Sequence, residues 1–372
     1  MGEVIGSALA AFAIAITATP LVRSLARSYG IIRPPGGRHE HSGPTPLWGG
    51  LSILSTVLLV VGFHPTLVLT PEILALLIGL GLFLLVGMRD DRRELSWRTL
   101  LSLQGIAALI LLLGGVRLWY ISVFTESAWR LDTWMFSVPF PFCGTPDCAV
   151  PVLGSLLLIA WVAACVNAMN WLDGSDGVAT TVSAVALAAL AILSLTAEVR
   201  QPALAIIAAA GFGASIGFLP WNLPRARIFL GSAGSFGLGF LIAALAVLAG
   251  TKLATVAMVL LLPGADAAAV IFIRMLRGTP ITQGDTRHLH HQLRTLGWKP
   301  REIIFLHGGT SALLGISAFL LPRPWKIVTL VLIFILFMGI LVAMKVILSP
   351  ERREKKSPEQ IPLRNTASDG TI

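Results

Sequence analysis

Eleven apolar stretches, most of them close to the ~20 residues that cross a bilayer as a helix, leave this chain little to fold with in water. They fall near 4–21, 49–63, 72–88, 99–118, 152–170, 178–197, 203–219, 233–250, 253–273, 303–321 and 326–347. The pattern predicts an all-α, polytopic integral membrane protein of about eleven transmembrane helices. Only 13% of the residues are charged, about half the fraction of a soluble domain, which excludes an ordinary soluble enzyme and a disordered chain alike. The first stretch runs directly into Arg23 without a small-residue cleavage site, so it is expected to be the first span and not a cleaved signal. One transmembrane domain is expected over 1–348, followed by a polar, disordered cytoplasmic tail over 349–372 that carries Pro350, Pro358 and Pro362.

The net charge of +9 is distributed unevenly along this pattern. With the N-terminus outside, every one of the 28 Lys and Arg residues falls on the inner side except Arg117, Arg130, Arg200, Lys252, Arg323 and Lys326. Cytoplasmic loops retain basic residues, so this split orients the chain with its C-terminus in the cytoplasm. No nucleic-acid partner is expected. Cys165 lies in an apolar run and is read as packing, whereas Cys143 and Cys148, in the outer loop FCGTPDC, are either a local disulfide or two inert thiols.

The scarce polar residues gather at the inner ends of the spans, where a carboxylate is a functional hypothesis. Asp90 and Asp91 end the third span, and Asn167, Asn170, Asp173 and Asp176 end the fifth in NAMNWLDGSDG. WNLPRARIFLGSAGS (221–235) leads into the eighth span, and GDTRHLHHQL (284–293) separates the ninth from the tenth. The first inner loop, GGRHEHSGPTPLWGG, adds Arg38, His39 and His41. Adjacent Asp90 and Asp91 repel each other and call for a cation, a proton or a neighbouring Arg, the last meaning only a solvated helix end. Asp173 and Asp176 alternate with Gly174 and Gly177, a pattern that serves either a plain turn or a close approach to a ligand. Carboxylate, amide and glycine together suit Mg²⁺, a hard cation bound beside substrate phosphates. His288, His290 and His291 beside Arg287 suit phosphate or sugar contact better than zinc, because no Cys accompanies them; lipid headgroups are the alternative contact.

In this order the motifs resemble the polyprenyl-phosphate N-acetylhexosamine-1-phosphate transferases, a glycosyltransferase family 4-like group, and within it the bacterial branch acting on undecaprenyl phosphate. The likeness runs from about residue 33 to 297 and rests on Arg38-His39-Glu40-His41 before Pro44 to Gly50, Asp90-Asp91 with Leu95, Ser96 and Gln104, Asn167 to Gly177, and His288 to His291. The resemblance implies a phosphoglycosyl transferase of the bacterial inner membrane, with its active site on the cytoplasmic face. It would move N-acetylhexosamine 1-phosphate, GlcNAc-1-phosphate first, from a UDP-sugar to undecaprenyl phosphate and release UMP. The product would feed a cell-envelope polysaccharide such as a lipopolysaccharide O-antigen or teichoic acid. By the same analogy Asp90, Asp91, Asp173 and Asp176 are catalytic, and Mg²⁺, with Mn²⁺ as the alternative, falls to Asp91, Asn170, Asp173 and the residue at 232. Arg38, His41, Asn167, Asn170, Asp176, Phe229, Arg287, His288, His290 and His291 would bind substrate, Asp176 and Phe229 taking the uracil. A homodimer is compatible with all of this.

One departure matters. Where the family reads G-D-x-G-S after Phe229, with the Asp as a principal Mg²⁺ ligand, this chain has Gly231, Ser232, Ala233, Gly234 and Ser235. Loss of a full negative charge predicts weaker ion binding and slower turnover, and it opens the alternative of an inactive homologue that binds lipid phosphate or nucleotide. A transporter is the weaker competitor, since no inverted repeat accompanies the polar groups.

Overall fold

Helix starts along the chain follow local chemistry that the computed structural model resolves for residues 1–34, 43–122, 128–138, 148–250, 252–279 and 288–347. Thr70 caps one helix by accepting from the Ile73 N–H, with Pro71 in the first turn where no N–H is needed. Ser96 caps the next through Thr99, and Glu302 reaches back to the Lys299 N–H at 2.7 Å in another. In chain order the helices are α1 (Gly2–Ser28), α2 (Gly49–Gly62), α3 (Pro71–Arg92), α4 (Trp97–Leu113), α5 (Val152–Leu172), α6 (Val178–Leu195) and α7 (Pro202–Asn222). There follow α8 (Gly231–Leu248), α9 (Leu253–Val259), α10 (Leu261–Leu276), α11 (Leu289–Thr295), α12 (Pro300–Leu320) and α13 (Arg323–Ile347).

All eleven apolar stretches are helical, and the described residues contain eight helices long and apolar enough to cross a bilayer. The remaining three differ from simple spans. Helices α2 and α4, of 14 and 17 residues, are shorter. The stretch 253–273 is broken into α9 and α10, which bend by 78° at Leu260. Pro263 lacks the N–H that would bond the Val259 carbonyl, which favours a break there.

Helix α8 is the hub: nearly all of it is buried, and it packs against α2, α3, α5 and α6. Small residues bring the backbones close, as expected where van der Waals packing replaces hydrophobic exclusion. A Cβ on Gly50 would overlap the Gly234 backbone, and one on Gly87 would overlap Ala233. Around this hub α7 packs on α1, α2 and α6, while α12 packs on α6 and α13 on α10.

The all-α expectation needs one amendment. Among the described residues there are three two-stranded antiparallel ribbons: β1 (Ile32–Arg33) with β2 (Thr45–Pro46), β3 (Tyr120–Ser122) with β4 (Ala128–Arg130), and β5 (Met135–Val138) with β6 (Cys148–Pro151). The last two decorate the α4–α5 connection, whose aromatic and β-branched residues favour extended backbone over a loop. The Cys143–Cys148 question and the tail 349–372 lie outside the described residues, and Cys165 is a buried free thiol, as its apolar setting predicted.

Candidate functional site

Four connections meet at one end of the bundle around a cavity of about 240 Å³. The C-terminus of α3 supplies Asp91, the end of α5 and the turn after it supply Asn170, Trp171 and Asp173 to Asp176, the end of α7 and the connection into α8 supply Asn222, Phe229 and Gly231, and the start of α11 supplies His288, His290 and His291. Ser232 lies in the first turn of α8, while Arg33 and Leu47 enter from β1 and the residue after β2.

Backbone hydrogen bonds fix the α7–α8 connection against the start of α2. The Phe229 N–H donates to the Pro46 carbonyl at 2.8 Å, and the Gly49 and Gly50 N–H groups donate to the Phe229 and Leu230 carbonyls at 2.9 and 2.7 Å. Gly231 then turns the chain at φ +72°, where a side chain would be strained and a Cβ would sit 2.6 Å from Asp91 Oδ2. The next residue engages both carboxylates of α3. Ser232 donates its N–H to Asp91 Oδ1 at 2.8 Å and its hydroxyl to Asp90 Oδ2 at 2.6 Å. Asp90 Oδ1 accepts in turn from the Leu95 N–H at 2.7 Å, so Asp90 braces the end of α3 beside the cavity. Asp91 Oδ2 is buried without a hydrogen-bond partner.

On the facing wall, Asn170 Oδ1 accepts from the Ser235 hydroxyl at 3.3 Å. Asp176 Oδ2 accepts from the Ala226 N–H at 3.2 Å, clasping the α5–α6 turn to the α7–α8 connection. Asn222 reinforces that clasp, accepting from the Gly177 N–H and the Thr180 hydroxyl and donating to the Ile228 carbonyl. Burial pushes the Asp173 carboxyl well above the usual carboxylate range; Asp91 and Asp176 push the same way, and Arg33 and the Gly231 N–H oppose them.

The histidine wall is built by stacking. His288 stacks on Trp171 with ring centres 6.1 Å apart, and His290 lies parallel to His288 at 6.0 Å and against His291 at 4.2 Å. Gly174 faces the His290 ring so closely that a Cβ there would overlap Nε2. Burial, with His291 beside it, holds His290 well below the ordinary histidine range, so it is neutral, and its Nε2 is buried without a partner. His288 Nδ1 lies 2.8 Å from Asp266 Oδ2, in α10. Asp266 Oδ1 also accepts from the Leu289 N–H at 3.0 Å and from Lys345 Nζ, in α13, at 2.5 Å.

Of the residues singled out in the sequence, Asp91, Asn170, Asp173, Asp176, Phe229, Ser232, His288, His290 and His291 line the cavity. Asp90 stands behind Ser232. Asn167 is placed elsewhere: its amide donates to Gln104 Oε1 at 2.9 Å and to the Ala163 carbonyl at 2.8 Å, inside the bundle, one helical turn before Asn170. Arg38, His41 and Arg287 lie outside the described residues. Arg33, Trp171, Asn222, Asp266 and Lys345 had not been singled out as site residues. A lone Asp in the apolar run LLPGADAAAVIF is the signal for Asp266, whereas Lys345, one of the inner-side basic residues in the sequence, is buried against Asp266.

Fold and cavity together define an integral membrane protein with a polar site, rich in carboxylates and histidines, at one end of its helical bundle. The profile of glycosyl transferase family 4 matches residues 73–250. A phospho-N-acetylmuramoyl-pentapeptide-transferase of Kocuria rhizophila is 35% identical over 64% of this chain and 72% of its own length. A probable undecaprenyl-phosphate N-acetylglucosaminyl 1-phosphate transferase of Bacillus subtilis is 27% identical over 87% of each chain. A decaprenyl-phosphate N-acetylglucosaminephosphotransferase of Mycolicibacterium smegmatis is 28% identical over 80% of this chain and 77% of its own. The chain belongs to glycosyl transferase family 4, the polyprenyl-phosphate N-acetylhexosamine-1-phosphate transferases that its motifs resemble, and is a membrane-embedded transferase.

Proposed function

We propose that the protein transfers GlcNAc 1-phosphate from UDP-GlcNAc to undecaprenyl phosphate, releasing UMP, at the cytoplasmic face of a bacterial inner membrane. The observation that carries this reading is the convergence of four sequence-distant segments on one cavity that holds both acidic groups and histidines. Two anionic substrates meeting there need cations and hydrogen-bond donors on one side and ordered carboxylates on the other. An oxygen of the lipid phosphate attacks the sugar-side phosphorus of the UDP-sugar. A new P–O bond forms, the bond to the UMP oxygen breaks, and UMP leaves with that electron pair. The attacking phosphate is already ionised at neutral pH, so positioning and charge neutralisation dominate.

Asp176 and Phe229 are assigned to the uracil, and the histidine wall to the diphosphate and sugar. Asp91, braced by Ser232, orders the acceptor side with Asp90 behind it. The unpartnered Asp91 Oδ2, with Asp173 and Asn170 on the same cavity, is a hard oxygen donor set that fits Mg²⁺ or Mn²⁺. Among the described residues no three His, Cys, Asp or Glu side chains form a protein-only cage, and Mg²⁺ sites of this kind are completed by substrate phosphates and water. When bound, such an ion neutralises the nucleotide diphosphate and its leaving group. The downstream polymer, an O-antigen or a teichoic acid, and a homodimer are part of the same proposal.

The test is a radiolabelled UDP-GlcNAc assay with undecaprenyl phosphate and Mg²⁺, following label into the lipid phase and UMP into water. Both are expected for the unaltered chain and lost in Asp173→Asn. Absence of both products in the unaltered chain and in Ser232→Asp would overturn the transferase reading.

A further inference from the structure

Asp266 is a buried carboxylate that the proposed transfer does not itself use, yet it gathers three hydrogen-bond partners. One oxygen meets His288 Nδ1; the other takes the Leu289 N–H and Lys345 Nζ. Its partners come from two other places in the chain, the start of α11 and the last turn of α13, and both Asp266 and Lys345 are nearly inaccessible to solvent. A lone carboxylate there would be strongly unfavourable, and Lys345 cancels its charge. With that charge cancelled, what Asp266 offers His288 is a hydrogen-bond acceptor for its Nδ1. An imidazole has one proton and one lone pair in its neutral form, so a proton on Nδ1, held by Asp266, leaves the Nε2 lone pair on the opposite edge of the ring. His288 lines the cavity, and Trp171 stacking fixes its plane.

We propose that Asp266 and Lys345 are positioning residues that hold His288 in the Nδ1–H tautomer and present its Nε2 lone pair, as an acceptor, to a hydroxyl or amide N–H of the substrate's sugar in the cavity. The proposal rests on the transferase reading for the identity of that substrate, a sugar nucleotide. The backbone bond from Leu289 to the same carboxylate makes the arrangement more than an ion pair: it registers the first residue of α11 as well as the ring before it, so the histidine wall is set from α10. Lys345 makes α13 part of the site although it does not line the cavity. The arrangement follows the general rule that a carboxylate on the far nitrogen of a histidine sets its tautomer and orientation.

The test removes both buried charges at once, in Asp266→Asn/Lys345→Met, so that no lone charge is left to unfold the bundle. Asn at 266 can donate its amide to Nδ1 and so favours the opposite tautomer. Expected are an unchanged melting temperature in detergent, a KM for UDP-GlcNAc within about threefold, and a kcat lower by roughly 10–100-fold, the usual cost of losing such a support. Lys345→Arg, which keeps the charge, should retain most of the kcat. Nitrogen NMR of labelled histidine reads the tautomer directly and does not depend on turnover: His288 should carry its proton on Nδ1 in the unaltered chain and on Nε2 in the double variant. A double variant with unaltered kcat, or an unaltered chain with the proton on Nε2, would overturn the positioning role while leaving the transferase reading intact. A double variant that melts early but turns over normally per folded molecule would reduce the cluster to a structural brace and overturn it equally. Failure of the unaltered chain to release UMP would count against the transferase reading, and the NMR result would still decide the tautomer.

Discussion

Replacing Ser232 with Asp places a third carboxylate in a space whose dimensions are known. The Ser232 hydroxyl is 2.6 Å from Asp90 Oδ2, and its own N–H is 2.8 Å from Asp91 Oδ1. A carboxylate at 232 therefore stands within about 4 Å of a like charge, where repulsion at an effective dielectric near 20 is about 4 kcal/mol. The variant also loses the hydroxyl bond to a charged acceptor, worth about 1.5–3 kcal/mol. Without a divalent ion it should melt below the parent or keep a proton at neutral pH. With Mg²⁺ the same repulsion becomes attraction to the ion. If half of the 4 kcal/mol is recovered on binding, affinity rises by roughly 30-fold, at about 1.4 kcal/mol per tenfold. Melting in detergent across a Mg²⁺ titration, with EDTA as the zero point, measures this without turnover. The parent should show a shallow dependence with a high midpoint, and Ser232→Asp a steep one with a midpoint one to two orders of magnitude lower, together with faster UMP release. Identical Mg²⁺ dependence in the two chains would refute the placement of the ion between Asp91, Asp173 and residue 232.

Gly174→Ala should leave the bundle folded and cut turnover at least 10-fold, because its Cβ would overlap the His290 ring; circular dichroism melts alongside the UMP assay separate the two effects. Gly50→Ala should instead destabilise by about 1–3 kcal/mol or more by forcing α2 from α8, whereas Gly62→Ala, with open space around it, should be close to neutral; chemical denaturation in detergent compares them. Asp173 gives a pH prediction. Its carboxyl is raised by folding, so the folded chain holds a proton that the unfolded chain releases above about pH 4, and stability declines as pH rises from there through the folded value. In ion-free buffer Asp173→Asn should therefore flatten the dependence of melting temperature on pH and melt above the parent at pH 8, while losing activity; a steeper dependence in the variant would contradict the assignment.

The transmembrane character of the chain was legible in its sequence because a helix that buries its own backbone in lipid needs only length and apolarity. The 78° break between α9 and α10 was not, since 253–273 reads as one apolar run until Pro263 is given its cost. Motif order placed Asp91, Asn170, Asp173, Asp176 and the histidines on a common cavity, because each sits at a helix end and the ends were sorted by charge. Asn167 belonged to the same motif, yet one helical turn carries it away from Asn170 and into the Gln104 amide pair. Asp266 escaped notice for the opposite reason. Its partners are 22 and 79 residues distant, and no periodicity links a residue in α10 to one in the last turn of α13.

That separation has a bearing on biosynthesis. Translation lays down Asp266 and His288 well before Lys345, and α13 is the last helix of the described chain to leave the ribosome. Until α13 docks on α10, the acid has a histidine but no lysine, and the cation that cancels its interior charge is missing. A nascent chain halted before α13 would thus hold every cavity-lining residue of the four converging segments and still lack the cation that completes the network behind its histidine wall. Insertion of the final helix then becomes the event that matures the enzyme, and a chain truncated within α13 should reach the membrane while remaining idle there.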